Sequence, residues 1–188
     1  MASRRLNKKV AIAGFAIFFV VVLSAILVIL YLSRDPQEFI KDGQAALLAK
    51  DYERAERSFR GAYGRAKTDS LREEILFKLV GVYLETKEWP FILGCWDEII
   101  RVNPNNTQAR YNRLKYFYIL ADSGYYRYWQ TVRDQASEFL KVTENTGLLT
   151  EDTAKWDVFE AREKEAGPQR LGPYLYLLRG RAALEMAG

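Results

Sequence analysis

The stretch LFKLVGVYLETKEWPFILGCWDEIIRVNPNN, Leu76–Asn106, decides the fold, because apolar side chains recur with helical spacing on both sides of a short polar break. The break at Lys87-Glu88 is too short for anything but a tight turn between antiparallel helices. Pro104 then stops the second helix. The apolar positions are Leu76, Leu79, Val80 and Tyr83 before the break, and Trp89, Ile92, Trp96 and Ile99 after it.

The preceding segment, residues 36–69, repeats this frame. Its positions are Phe39, Gly43 and Ala46 on a first helix, then Tyr52, Ala55, Phe59 and Ala62 on a second. Ser70 and Glu73 form a capping box that opens the next unit, residues 73–106. A helix, turn and helix in 34 residues resembles the tetratricopeptide repeat (TPR). The resemblance implies an all-α solenoid of helical hairpins that binds other proteins, and it implies no reaction.

The remainder of the chain predicts a divergent unit, residues 107–172, and a partial unit, residues 173–188. Trp129, Val132 and Ala136 mark a helical face in the divergent unit. Thr150 can cap a further helix running to about Ala166, with Trp156 and Phe159 docking it. In the partial unit, the residues that fit the repeat frame are Tyr176, Gly180 and Ala183. This final helix lacks a partner in the sequence, so it is either a capping helix or followed by more chain.

An uncharged run of 23 residues, Val10–Leu32, predicts a transmembrane signal-anchor helix that interacts with membrane lipid. At 1.5 Å per residue the run spans roughly 34 Å, enough for a bilayer core. A cleaved signal peptide is the alternative, although its apolar region would be about 7–15 residues. Asp35 and Pro36 then cap and open the first repeat helix, so that residues 33–188 form a TPR-like domain close to the membrane.

The charge distribution predicts the orientation. Residues 1–9 form a basic N-terminus with Arg4, Arg5, Lys8 and Lys9 and no acid. The positive-inside rule places them in the cytoplasm and the repeats outside, most simply on the periplasmic face of a bacterial inner membrane. The chain carries a net charge of +4, which these four cations supply, so residues 33–188 are neutral. The basic balance therefore does not predict nucleic-acid binding.

The inventory of reactive side chains predicts a protein that is not an enzyme. The sequence contains no histidine, which excludes histidine-based acid–base catalysis and histidine metal sites. Its one cysteine, Cys95, lies beside Trp96 in a repeat helix and reads as a small core residue. The sequence has no P-loop or dinucleotide fingerprint. We therefore expect no catalytic residues, cofactor or metal.

The TPR resemblance also implies where partners bind. The first helices of successive units line a concave groove through five positions each. These are Gln37, Ile40, Gln44, Leu47 and Leu48 in the first unit, Glu74, Phe77, Gly81, Leu84 and Glu85 in the second, and Gln108, Tyr111, Lys115, Tyr118 and Ile119 in the third. The TPR class that grips a chaperone's carboxylate has Lys and Asn where this chain has Ile40 and Gln44. We therefore expect an apolar groove suited to an amphipathic helix or an extended apolar segment.

An aromatic-rich run, Tyr111–Trp129, holds eight aromatic side chains in 19 residues. Three roles are compatible with the sequence of this run: packing in the core, contact with a partner, and contact with lipid headgroups. Adjacent pairs such as Tyr125 and Tyr126 cannot all face one side of a helix, so part of the set is expected outside the core.

These features together predict a single-pass, membrane-anchored TPR scaffold that binds protein partners and organises a membrane protein complex. One alternative is the N-terminal TPR arm of a longer membrane-bound enzyme. Another is an accessory structural subunit of an integral membrane complex.

Overall fold

The computed structural model describes residues 8–32, 35–144, 146–150, 153, 156–159 and 170–187, and every regular element within these ranges is helical. The all-α prediction is confirmed for this part of the chain. The elements are α1 Lys8–Leu32, α2 Pro36–Leu48, α3 Tyr52–Tyr63, α4 Asp69–Thr86, α5 Trp89–Val102, α6 Thr107–Asp122, α7 Tyr128–Thr143, a 3₁₀ turn Leu148–Thr150, and α8 Leu171–Glu185.

Helix α1 is 25 residues long and coincides with the predicted anchor. Its side chains are described at residues 15–28, a stretch of about 21 Å, and all of them are exposed. Over the residues that the structure describes, no helix is both long enough and apolar enough to cross a membrane. The predicted basic N-terminus falls on residues 1–9, of which 1–7 lie outside the described ranges.

Side-chain caps begin several of the helices, including the predicted cap at Asp35. The Asp35 carboxylate accepts a hydrogen bond from the Gln37 amide at 2.9 Å, and Pro36 opens α2. The Asn106 side chain caps α6 by accepting from the Ala109 amide at 2.7 Å. Such caps satisfy amide groups that have no acceptor within the helix.

The predicted start of α4 at Ser70 is wrong by two residues. Thr68 has an extended backbone and its hydroxyl accepts from the Leu71 amide at 3.3 Å, so Thr68 is the cap. Glu73 instead accepts hydrogen bonds from the side-chain amides of Asn103 at 2.9 Å and Asn106 at 2.7 Å. Its carboxylate thereby holds the turn between α5 and α6 against α4.

Packing between the helices follows chain order, since each helix from α2 to α8 contacts the next one along. One core cluster lies among α2 to α5, and a second lies among α6 to α8. The residues predicted to pack between repeats are fully buried in the first cluster: Ala55, Phe59, Ala62, Trp96 and Ile99. The helical face predicted on α7 is likewise buried in the second cluster: Trp129, Val132, Ala136, Phe139 and Leu140.

The buried face of α8 differs from the predicted frame. Because α8 begins at Leu171, Pro173 is its third residue and still lies in the first turn, where a missing N–H costs no helical hydrogen bond. Tyr176, Gly180 and Ala183 are exposed, so their predicted packing positions are wrong. The buried residues are Leu171, Gly172, Tyr174, Leu175, Leu178 and Ala182.

The predicted helix from Thr150 to about Ala166 is also wrong where it can be compared, because residues 156–159 are not helical. The Val158 amide donates to the side chain of Asn112, and the Phe159 amide donates to the Asp157 carboxylate at 2.9 Å. These amides therefore do not form the i to i−4 bonds of a helix. Most of the remaining residues of the predicted helix lie outside the described ranges.

Glycine at position 43 allows α2 and α3 to approach closely. A Cβ at Gly43 would lie 2.6 Å from the ring of Phe59, which is itself fully buried. We predict that Gly43→Ala lowers the free energy of unfolding by about 1–3 kcal/mol through overpacking. Chemical denaturation followed by circular dichroism measures this change.

Gly94 in α5 is the matched control, because a Cβ there meets nothing within 4 Å. Gly94→Ala is expected to stabilise the helix by about 0.5–1 kcal/mol. Equal effects of the two substitutions would contradict the close packing of α2 on α3.

Candidate functional site

The predicted groove residues do not form one free surface. The exposed ones are Gln37, Gln44, Leu48, Glu74 and Glu85. The half-buried ones are Leu47, Phe77, Gly81, Leu84, Gln108, Lys115 and Ile119. The buried ones are Ile40, Tyr111 and Tyr118. The first two units therefore keep an accessible groove face, whereas much of the third unit's face is covered.

The covering element of the third unit is residues 156–159, which we term the WDVF segment. The side-chain amide of Asn112 is fully buried and holds the main chain of this segment at two points. Its Nδ2 donates to the Trp156 carbonyl at 2.6 Å, and its Oδ1 accepts from the Val158 amide at 3.1 Å. Nδ2 also donates to the Gln108 carbonyl at 3.0 Å. A buried amide whose donor and acceptor are both satisfied in this way fixes the segment's register.

An ion pair holds the acidic side chain of the WDVF segment. The Lys115 ammonium group contacts the Asp157 carboxylate, and both side chains are largely shielded from solvent. The Tyr111 hydroxyl lies 3.5 Å from the same carboxylate. Tyr111 and Lys115 are both predicted groove positions, so the segment lies on the face where the repeat frame places a partner.

The last residue of the WDVF segment, Phe159, packs among aromatic rings. Its ring is nearly parallel to Trp89, with the two centroids 5.4 Å apart, and is tilted against Trp96 at 5.9 Å. Tyr116 lies 6.2 Å from Trp89 and 6.5 Å from Trp96. We call Trp89, Trp96 and Tyr116 the aromatic box. At the other end of the segment, Trp156 packs on Tyr111, with the centroids 6.2 Å apart.

Asn112 is the site residue that the sequence reasoning missed. The available signal was its position, since asparagine is a poor helix former and stands in the interior of an otherwise favourable helix. Its partners in the WDVF segment are more than 40 residues away in sequence, so no local pattern indicates them.

The aromatic-rich run divides between core and surface, as expected for adjacent rings. Within it, Tyr111, Tyr118 and Trp129 are buried, while Tyr116, Phe117 and Tyr128 are half-buried. Tyr125 and Tyr126 are exposed in the turn before α7. The predicted groove residue Tyr118 packs in the second core and its hydroxyl accepts from Arg181, so it is not free to contact a partner.

A second accessible apolar surface lies on α8. Tyr176, Leu177 and Leu184 are exposed, with 61% of Leu177 and 76% of Leu184 open to solvent. Leu177 and Leu184 are seven residues apart, about two helical turns, so they share one side of α8, and Tyr176 lies next to Leu177 at the edge of that side. We call these three residues the α8 outer face.

The described residues offer little for catalysis. They contain no cluster of three metal-ligating side chains. A cavity lined by Ile100, Arg110 and Phe139 has a volume of about 10 Å³, enough for a single water molecule. Burial raises the pKa of the Cys95 thiol to about 12, so the thiol stays protonated at neutral pH.

Comparison with known proteins gives no assignment: no protein-family model matches this chain, and no curated protein shows significant similarity to it.

The raised pKa and burial of Cys95 predict that its thiol is inert in the folded protein. Only the thiolate reacts readily with a disulfide or maleimide reagent. We expect no modification of the native chain at pH 7.5 and complete modification after addition of guanidinium chloride, measured by intact mass. Rapid modification of the native chain would contradict the buried placement of Cys95.

Proposed function

We propose that this protein is a membrane-anchored, TPR-like helical scaffold that binds protein partners and holds them at the membrane surface. The observation that carries the proposal is the fully exposed apolar surface of α1, which directly precedes an array of paired helices.

The anchor is argued from the side chains of α1. Residues 15–28 carry no charge, and large side chains such as Phe15, Ile17 and Phe18 are open to their surroundings. Soluble proteins rarely leave so large an apolar surface in water, so lipid or another protein covers it. The Ser24 hydroxyl donates to the Val21 carbonyl at 2.8 Å, which satisfies the one polar side chain in this stretch. The described side chains cover only about 21 Å of this helix, whereas the whole uncharged run of the sequence, Val10–Leu32, is long enough to span the bilayer.

The position of the helical array follows from the short connection. Helix α1 ends at Leu32 and α2 begins at Pro36, with Asp35 as its cap. Four extended residues reach about 14 Å, so the array lies near the headgroups. With the basic residues 1–9 in the cytoplasm, the array lies outside it, in the periplasm of a bacterial cell.

Partner binding is argued from the surfaces that the array leaves open. The groove face of α2 and α4 is mixed, with exposed Gln44 and Leu48 beside half-buried Phe77 and Leu84. The α8 outer face is apolar, and repeat proteins cover such a face with a further helix or with a partner. A scaffold presents surfaces of this kind without catalytic residues.

The orientation is tested with Lys67→Cys, since Lys67 is exposed in the turn between α3 and α4 and Cys95 provides no background reaction. A membrane-impermeant maleimide is expected to label this variant in intact spheroplasts. A cysteine introduced at Ala2, on the cytoplasmic side, serves as the control and is expected to react only after lysis. The opposite pattern would contradict the proposed orientation.

The partner surface is tested with the double variant Leu177→Asp/Leu184→Asp. Both side chains are exposed, so the melting temperature of the protein should change little. If the α8 outer face is an interface, the substitutions should weaken the complex at least about 30-fold, the effect of losing roughly 2 kcal/mol at a binding hot spot. Native electrophoresis of the solubilised complex in mild detergent measures the loss.

Leu48→Asp tests the groove face in the same assay, since Leu48 is an exposed leucine on α2 with 87% of its surface open. If Leu48→Asp loses the complex while the α8 double variant keeps it, the interface lies on the groove face and not on α8.

A further inference from the structure

The WDVF segment contacts α5 and α6 in the way that a separate peptide ligand contacts its receptor. Its four residues are not helical, and Asn112 binds their main chain rather than a side chain. Main-chain hydrogen bonds combined with separate pockets for alternate side chains are how extended peptides are recognised. Trp156 and Phe159 fill aromatic sites at the two ends, while Asp157 pairs with Lys115 between them.

The receptor side is built from α5 and α6. Trp89 and Trp96 come from α5, while Tyr111, Asn112, Lys115 and Tyr116 come from α6. Removal of the segment would leave a buried amide, a shielded cation and an aromatic box facing the groove. The free energy of the surface is higher when these groups lack their partners, so the empty surface favours a replacement of the same chemistry.

We propose that this surface binds an extended segment of a partner protein with the order aromatic, acidic, aliphatic, aromatic, and that the WDVF segment is a built-in competitor for it. The inference rests on the proposed scaffold function, because it names a partner class for one groove of that scaffold. A partner strand must displace a segment tethered at an effective concentration of roughly millimolar. The site is therefore closed to weak ligands and opens to a partner that offers further contacts elsewhere.

The test uses the full chain in detergent micelles and a fluorescein-labelled peptide of residues 154–161. In the opened variant, Asp157→Ala/Phe159→Ala, the competitor loses its ion pair and its ring in the aromatic box. Fluorescence anisotropy is expected to show at least about tenfold tighter peptide binding to the opened variant than to the wild-type chain, because the tethered competitor is weakened.

Specificity is tested by reversing the charge of Lys115. In the opened background, Lys115→Glu is expected to lose the peptide and to bind a peptide in which Asp157 is replaced by lysine. If the peptide bound only through non-specific contacts of its two aromatic side chains, reversing the charge at Lys115 would not change which peptide binds. Asn112→Ala should abolish binding of the native peptide in the opened background, and binding of the lysine-bearing peptide when combined with Lys115→Glu. Asn105→Ala, at an exposed asparagine in the turn before α6, should change neither.

The test remains decisive if the opened variant loses its fold. In that case the peptide added at millimolar concentration should restore the melting transition by mass action, and the lysine-bearing peptide should not. Neither binding nor rescue would overturn the inference and leave the WDVF segment as a structural strap.

Three further outcomes separate this inference from other possibilities. A concentration-dependent dimer of the wild-type chain that the opened variant does not form would assign the site to a second copy and overturn the partner proposal. A complex that survives in mild detergent while no peptide binds would overturn the inference alone. Peptide binding by a chain that forms no complex at the membrane would instead count against the scaffold function.

Discussion

The buried side chain of Asn112 is the interaction on which the arrangement of the C-terminal half depends. Asn112 lies on α6, between the first core cluster and the second. Through the WDVF segment it connects the two, since Val158 and Phe159 pack against the first cluster and Trp156 packs against the second. Loss of this amide would leave a carbonyl and an amide of the segment unsatisfied in a shielded environment, a penalty of about 1–3 kcal/mol for each group. One polar side chain thus helps two apolar cores act as one unit.

Sequence reasoning succeeded where the determinants are local. The hairpins α2–α3 and α4–α5 could be predicted because Phe59, Trp96 and Ile99 recur at helical spacing around short polar turns. Gly43 and Ala62 then let the helices approach closely. The cap at Asp35 acts within two residues, so the local sequence also predicted it.

The same reasoning failed where the determinants are distant. The non-helical course of residues 156–159 depends on Asn112 and Lys115, which are more than 40 residues earlier in the chain. The buried face of α8 differs from the predicted one because the first turn of α8 packs on Leu149. The packing is close there, since a Cβ on Gly172 would lie 3.0 Å from the Leu149 carbonyl oxygen. Burial of Tyr118 likewise depends on Arg181 of α8. The predicted groove face of α6 is thus covered by residues 156–159 of the chain itself, which no local sequence pattern indicated.

The distribution of apolar surface relates these features to the proposed role. The longest run of exposed apolar side chains lies on α1, and the α8 outer face lies at the other end of the described chain. Between them lies a mixed groove whose third unit is filled by the chain itself. In the proposed scaffold, α1 anchors the array in the membrane and α8 provides a permanent contact with a partner. The α5–α6 surface binds only a partner that displaces the WDVF segment.

Hydrogen exchange at the Val158 amide tests the central claim most directly, namely that Asn112 holds the WDVF segment on α6. In the full chain in detergent micelles, this amide is expected to exchange at least about a hundredfold more slowly than in an unstructured peptide, because it is shielded and hydrogen-bonded. Asn112→Ala should remove that protection while the amides of α2 to α5 remain protected. Unprotected exchange at Val158 in the wild-type chain, or protection that survives Asn112→Ala, would contradict the account.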